Sequence, residues 1–144
     1  LMERMNKENA RWIQRFESFE KAFLRLKEAI EREKLTELER NGLVKRFEVA
    51  LEMAWKTLKD FLEAQAFSFK PSPKNVVRLA QQSGYIDCAQ ALIDGLELRN
   101  ALAHDYSGEK FEQSEAALRQ TVYPAISQLY RFLAEEKNAA EAAP

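Results

Sequence analysis

Trp12, Phe16, Phe19, Phe23, Leu26 and Ile30 succeed one another in steps of four and three, with Glu, Lys and Arg among the residues between them. A strand would scatter these six over both of its faces, because its side chains alternate with a period of two. A helix turning about 100° per residue gathers them on one face. The spacing therefore predicts a long amphipathic helix over roughly residues 6–33. A seam of large rings and aliphatics reads as core to be covered rather than as a cofactor box.

The same period recurs downstream. Thr36 followed by Glu39 is a capping box that starts a second helix. Its stripe runs through Leu43, Phe47, Ala50, Leu51, Ala54, Leu58, Phe61 and Leu62, widened by Val44 and Trp55, and is expected to end near Ala66. Pro71 and Pro73 mark 67–73 as a loop. Ser72 as N-cap and Pro73 as first helical residue open a short third helix, stopped near Ser83 by Gly84. Asp87 is expected to cap a fourth helix over 88–104. A fifth, over 111–136, carries Ala117, Leu118, Val122, Ile126, Leu129, Phe132 and Leu133, and Pro124 should bend it. The Ala/Glu-rich tail 137–144 is expected to fray. Four Gly, four Pro and 31% charged residues suit this all-helical reading. The expected fold is all-α: one domain, 1–144, built as an antiparallel four-helix bundle with one additional short helix.

Charge and composition remove several function classes. Lys and Arg number 22 against 23 Asp and Glu, so the basic excess of a dedicated duplex-DNA binder is missing. A local basic groove remains open to Lys45, Arg46, Lys56 and Lys59 on the second helix with Lys70, Lys74 and Arg78 near the loop, although such charges more often make a solvated helix face. Cys88 is the only cysteine, so no internal disulfide forms, and a buried thiol in a reducing compartment is expected. No run of 18 apolar residues and no charged, apolar leader occurs, which points to a cytoplasmic protein without a membrane span. One His and one Cys do not make a zinc site of the usual kind, and neither paired Glu-x-x-His motifs nor a Gly-rich phosphate loop is present. No metal and no cofactor is expected.

Chemistry concentrates in Arg99-Asn100-Ala101-Leu102-Ala103-His104-Asp105-Tyr106, which holds the only His of the chain. An imidazole with an unperturbed pKa of about 6.5 takes and gives protons near neutrality. Arg99 can clamp a phosphate, and Asn100 and Tyr106 can orient or position. On the fourth helix, Ala89, Leu92, Ile93, Leu96 and Ala103 fall on an inward stripe with Arg99 and Asn100 at its flanks. Ala91, Leu98 and Leu102 form a second apolar band. A helix apolar on two faces is central in its bundle or shared with a partner, and a homodimer seam is the expectation here. On a regular helix positions 99 and 104 are about 140° apart while 100 and 104 are neighbours. Arg99 is then expected to meet His104 of a second copy, as two-fold symmetry allows, unless the helix distorts before Tyr106.

The pattern Arg-x4-His-x-Tyr, met by Arg99, His104 and Tyr106 with polar Asn100 after the Arg, resembles the signature of the HEPN superfamily of small helical-bundle proteins. The chain looks like the branch of nucleotidyltransferase substrate-binding proteins that includes HepT-type toxins. The run from Phe47 to Leu62, Ser72-Pro73-Lys74 and Gly84 fit the same branch in order and spacing over about residues 10–135. The resemblance implies a toxin of a toxin–antitoxin pair: a metal-independent endoribonuclease acting as a homodimer. His104 is then general acid/base, Arg99 stabilises charge on phosphate oxygens, and Asn100 orients or polarises. It also implies a cognate MntA-type nucleotidyltransferase that silences the toxin by adenylylating Tyr106. The alternative within the same branch is a non-catalytic substrate-binding subunit of a two-component nucleotidyltransferase. An interaction bundle without chemistry is the third reading.

Overall fold

The computed structural model describes residues 2–104 and 108–143, with side chains over 7–103 and 110–143. Its elements are α1 (Met2–Ile30), α2 (Glu37–Ala64), α3 (Pro73–Gln82), α4 (Ala89–His104), α5 (Gly108–Ala117), a π-helical turn (Leu118–Val122) and α6 (Tyr123–Ala142). Among the described residues there is no strand. The all-α bundle expected from the sequence is what forms.

The α1 stripe is buried as its period requires: Trp12, Phe16, Phe19, Phe23 and Leu26 are all at most 5% exposed. The helix ends at Ile30 rather than near residue 33. Its last carbonyl is met from far along the chain, where the Arg119 guanidinium donates to Ile30 O and, at 3.1 Å, to the carbonyl of Arg32 just past the helix. Such tertiary capping satisfies the orphan acceptors of a helix C-terminus. The capping box of α2 forms as expected, Thr36 Oγ1 accepting from Glu39 N at 3.2 Å and Glu39 Oε1 from Thr36 N at 2.9 Å. These bonds, with Arg32 beside the carboxylate, hold the Glu39 carboxyl below its usual range.

Two helices end in the same way on different residues. At the end of α3, Gly84 takes φ +83°, and Tyr85 N donates to Ala80 O while Gly84 N donates to Gln81 O. At the end of α2, Ala66 takes φ +68°, with Phe67 N donating to Leu62 O and Ala66 N to Glu63 O. Both are Schellman ends, whose left-handed residue is ordinarily glycine. A Cβ in that conformation costs about 1–2 kcal/mol, part of which Gly returns as entropy of the unfolded chain. Ala66→Gly should therefore stabilise the protein by about 0.5–1 kcal/mol in chemical denaturation, and a destabilisation would show that the end of α2 is held by Phe67 rather than by the turn.

α4 starts differently from expectation. Asp87 accepts a hydrogen bond from the Gln128 side chain of α6, and Ala89 N at the start of α4 donates instead to Gln81 Oε1 of α3 at 2.9 Å. The cap is thus supplied across the α3–α4 corner. The long C-terminal helix is divided into α5, the π turn and α6, and Pro124 stands in the first turn of α6 directly after the π turn. A proline removes one donor and crowds the preceding turn, and a widened turn relieves both. α6 then continues through the segment expected to fray, to Ala142. Its alanines favour helix, Lys137 pairs with Glu141 at 3.3 Å, and the same ammonium lies 5.9 Å from the Phe16 ring.

α1 and α2 pack along their length, and α4 touches α2, α3, α5, the π turn and α6. Of the second apolar band of α4, Leu102 is buried, while Ala91 and Leu98 are half-buried against the core. Gly95 is where α4 comes closest to the π turn: a Cβ there would sit 2.8 Å from Val122 Cγ1. Between α1 and α2 a buried carboxylate, Asp60, is held by Arg15 Nε at 2.7 Å, Lys59 at 3.5 Å and Arg11 at 3.6 Å. No helix among the described residues is long and apolar enough to cross a membrane.

Candidate functional site

The inward stripe of α4 changes character along its length. Ala89, Leu92, Ile93 and Leu96 are buried, but Ala103, on the same stripe, is exposed, whereas Leu102 is 2% exposed. The inward place expected for Ala103 is thus not taken at this end, while Leu102 of the second apolar band is buried. The face that is core at Leu92 becomes, at Ala103, the wall of a surface cavity between α4 and α2. Arg99 and Asn100 stand where that transition happens. This is the physical reason a bundle tolerates a guanidinium and an amide on an inward stripe.

The cavity measures about 500 Å³. α4 contributes Arg99, Asn100 and Ala103, and α2 contributes Lys45, Glu48, Val49, Glu52 and Met53. Arg99 is 29% exposed, with Nη1 3.7 Å from Glu52 Oε2 and Nη2 donating to Asn100 Oδ1 at 3.5 Å. Glu52 is more firmly held by Lys56 at 2.8 Å and by the Trp55 indole at 3.3 Å. The Lys56 ammonium above all keeps its carboxyl below the usual range, with Trp55 and Arg99 contributing, against a smaller opposing effect of burial. Glu52 is therefore an anion at neutral pH. It steadies Arg99 at long range without closing on it, which leaves guanidinium donors free for a ligand.

Arg99 and Asn100 are thus brought together on one wall. α4 remains α-helical through His104, without distortion up to that residue. The His104 side chain and all of Tyr106 lie outside the described residues. Glu48 and Glu52 in the cavity wall were missed by sequence reasoning. Their i, i+4 spacing with Lys56 looks like ordinary helix-surface pairing, and only the approach of α4 gives it a second face.

The charges of α2 fit the solvated helix face better than a basic groove. Lys56 is paired with Glu52, Lys59 with Glu63 at 2.9 Å and with Asp60, and Lys74 with Glu97 at 3.7 Å. Lys70 and Arg78 are exposed near the loop. Only Lys45 and Arg46 line cavities. Among the described residues no group of three or more His, Cys, Asp or Glu is arranged to hold a metal ion.

Cys88, beside the start of α4, is half-buried with Sγ 3.8 Å from Ala125 O. Burial first, and the Asp87 carboxylate second, push the thiol up from near 9 to about 11. The thiolate is the reactive species. A thiol that titrates near 11 instead of 9 holds about a hundredfold less thiolate at pH 8, so iodoacetamide should alkylate the native chain about a hundred times more slowly than the urea-unfolded one. The native rate should still be climbing tenfold per pH unit at pH 10, and a plateau near pH 9 would mean the thiol is not buried in solution.

The fold is an all-helical bundle in which an arginine–asparagine wall of α4 faces acidic and basic residues of α2. The family described as nucleotidyltransferase substrate binding protein like matches residues 14–135, and the chain belongs to that family. A crystal structure of a protein from Thermus thermophilus is similar, with TM-score 0.68 and 28% identity over 81% of this chain and 97% of that one. Comparison with curated proteins yields no significant match.

Proposed function

We propose that this chain is the HepT-like toxin of a toxin–antitoxin pair. It is read as a HEPN-type endoribonuclease acting as a homodimer without a metal, with Arg99, Asn100 and His104 as catalytic residues. The observation that carries this reading is the placement of Arg99 and Asn100 on one cavity wall of α4, five and four residues before the only His of the chain. Membership of the nucleotidyltransferase substrate binding protein like family supports it. The partner is then a nucleotidyltransferase, and Tyr106 is the residue it adenylylates.

The chemistry follows from the residue types. His104 takes the proton of an RNA 2′-hydroxyl, whose oxygen attacks the adjacent phosphorus. The bond from phosphorus to the 5′-oxygen breaks, that oxygen takes up a proton, and a 2′,3′-cyclic phosphate and a 5′-hydroxyl remain. Arg99 offsets charge that builds on the non-bridging oxygens, and Asn100, one turn before His104, orients the imidazole. Positions 99 and 104 lie about 140° apart on a regular helix, so Arg99 of one copy works with His104 of the other. Adenylylation of Tyr106 places bulk and negative charge two residues from His104 and repels RNA phosphates.

A specific observation favours the second reading, a non-catalytic substrate-binding subunit. Glu48 and Glu52 share the cavity with Arg99, and mixed charge suits a ligand bearing both donors and an anion. The two readings separate on one experiment: expression with and without the partner nucleotidyltransferase, intact mass, and RNA cleavage. The toxin reading expects an added AMP on Tyr106 only in the co-expressed protein, cleavage only by the unmodified one, and loss of cleavage with an intact dimer in His104→Ala. Unmodified protein that leaves a broad RNA panel uncut sinks the toxin reading.

A further inference from the structure

Lys45, Val49 and Met53, four residues apart on α2, form a ridge with a cavity on each side. One is the Arg99 cavity. The other, of about 490 Å³, lies between α1 and α2 and adds Lys21, Ala22, Arg25 and Arg46 to the ridge residues. Arg46 is committed, donating to Arg25 O at 2.8 Å and standing 3.7 Å from Glu28. The side chains of Lys21, Arg25 and Lys45 are exposed and make no hydrogen bond or ion pair with the described residues. Elsewhere on this chain lysines and arginines are paired repeatedly with carboxylates, as Lys56, Lys59, Arg15 and Arg119 are. Lys21, Arg25 and Lys45 bring three uncommitted cations around this one depression.

We infer that the α1–α2 cavity is a phosphodiester track: it binds the backbone of the single strand that flanks the nucleotide held at Arg99. The inference rests on the reading of Arg99 as a phosphate-binding residue. Continuity favours a polyanion here. Lys45 lines both cavities, so a strand leaving Arg99 crosses the Lys45–Val49–Met53 ridge and meets Lys21 and Arg25 on the other side. Those two are one helical turn apart, about 6 Å along the axis, comparable to the separation of successive phosphates in an extended strand. Val49, 40% exposed, and Met53 give the ridge an apolar crest against which a sugar or base face can rest. Affinity along such a track comes from counterion release, and it is therefore independent of base sequence and sensitive to salt.

The test uses the full-length protein, unmodified, and two fluorescent probes that cannot be cleaved: a 2′-O-methyl dodecanucleotide and a 2′-O-methyl dinucleotide. Lys21→Ala/Arg25→Ala should weaken the dodecanucleotide roughly tenfold at low salt and flatten its log–log salt slope by about 1.4, two contacts at about 0.7 each for a single strand. Binding of the dinucleotide should stay unchanged, because it reaches only the Arg99 side. Glu48→Gln, which removes a carboxylate from the Arg99 side of the crossing, should tighten the longer probe. Unchanged dodecanucleotide binding by the double variant overturns the track. So does competition by a poly-glutamate peptide as effective as the oligonucleotide at equal charge, which would reassign the groove to an acidic protein segment. If Arg99→Ala leaves the dinucleotide unaffected while the double variant still loses the dodecanucleotide, the track stands and the reading of Arg99 falls. If wild-type protein binds neither probe, both fall.

Discussion

Replacing Arg99 by Ala in the unmodified protein is expected to lower single-turnover RNA cleavage by about 10²–10³-fold, the usual effect of deleting one preorganised donor to transition-state charge. The fold should not notice. Arg99 touches Glu52 only at 3.7 Å and Asn100 at 3.5 Å, and exposed pairs of this kind contribute about 0–1 kcal/mol. Glu52 keeps Lys56 and Trp55 as partners when the guanidinium goes, so no carboxylate is stranded. Loss of activity with a thermal midpoint within a few degrees of wild type is the expected signature. Arg99→Lys should recover only a small part, since an ammonium is a point charge without the planar fork that meets two phosphate oxygens. Asn100→Ala is expected to cost less than Arg99→Ala, because in the proposed mechanism it acts on the orientation of His104 rather than on charge. Cleavage by Arg99→Ala within about fivefold of wild type would remove Arg99 from the chemistry.

The elements that were legible in the sequence are those written in local code. The α1 stripe, the Thr36–Glu39 box, Pro73 at the start of α3 and Gly84 at its end each depend on residues within a turn or two of one another. What was not legible depends on encounters between distant segments. Ala66 adopts a left-handed conformation without the glycine that would announce it, because Phe67 and the α2 backbone close the turn. Gln81 caps α4 from another helix in place of Asp87, and Arg119 caps α1 from 89 residues away. The helical wheel put Ala103 on the inward stripe because a wheel carries no information on how closely a neighbouring helix covers each position.

For the site, the residue types at 99 and 100 and their place on α4 were readable. The acidic partners on α2 and the cations of α1 were not, since Lys21 and Arg25 look like ordinary solvated positions until α2 brings Lys45 alongside. Whether the α2 charges make a groove or a solvated face was undecidable for the same reason: a charge count along one helix cannot show which charges are neutralised by the next carboxylate.

The largest effect on stability is expected at Phe61, which is 1% exposed and joins three parts of the chain. Its ring meets Trp12 of α1 at 5.2 Å, Tyr85 of the α3–α4 corner at 5.3 Å and Phe132 of α6 at 5.5 Å, each edge to face. Truncation to Ala loses the transfer energy of the ring and leaves a cavity walled by three other rings, which rotate poorly into the space. Phe→Ala in such surroundings costs about 3–5 kcal/mol, a large share of the 5–15 kcal/mol that separates folded from unfolded states in typical domains. Urea denaturation should show the midpoint moving sharply down at an unchanged slope, since the surface exposed on unfolding is the same. Phe61→Leu, which keeps most of the volume and loses the edge-to-face geometry, should cost less than half as much. Because Tyr85 leads into α4, a softened Phe61 cluster acts on Arg99 only through the fraction of molecules folded. Below its new midpoint the variant should thus retain normal cleavage per folded chain. A cost under about 1 kcal/mol for Phe61→Ala would mean that Trp12, Tyr85 and Phe132 close over the gap, and that the aromatic cluster is held by its periphery rather than by this ring.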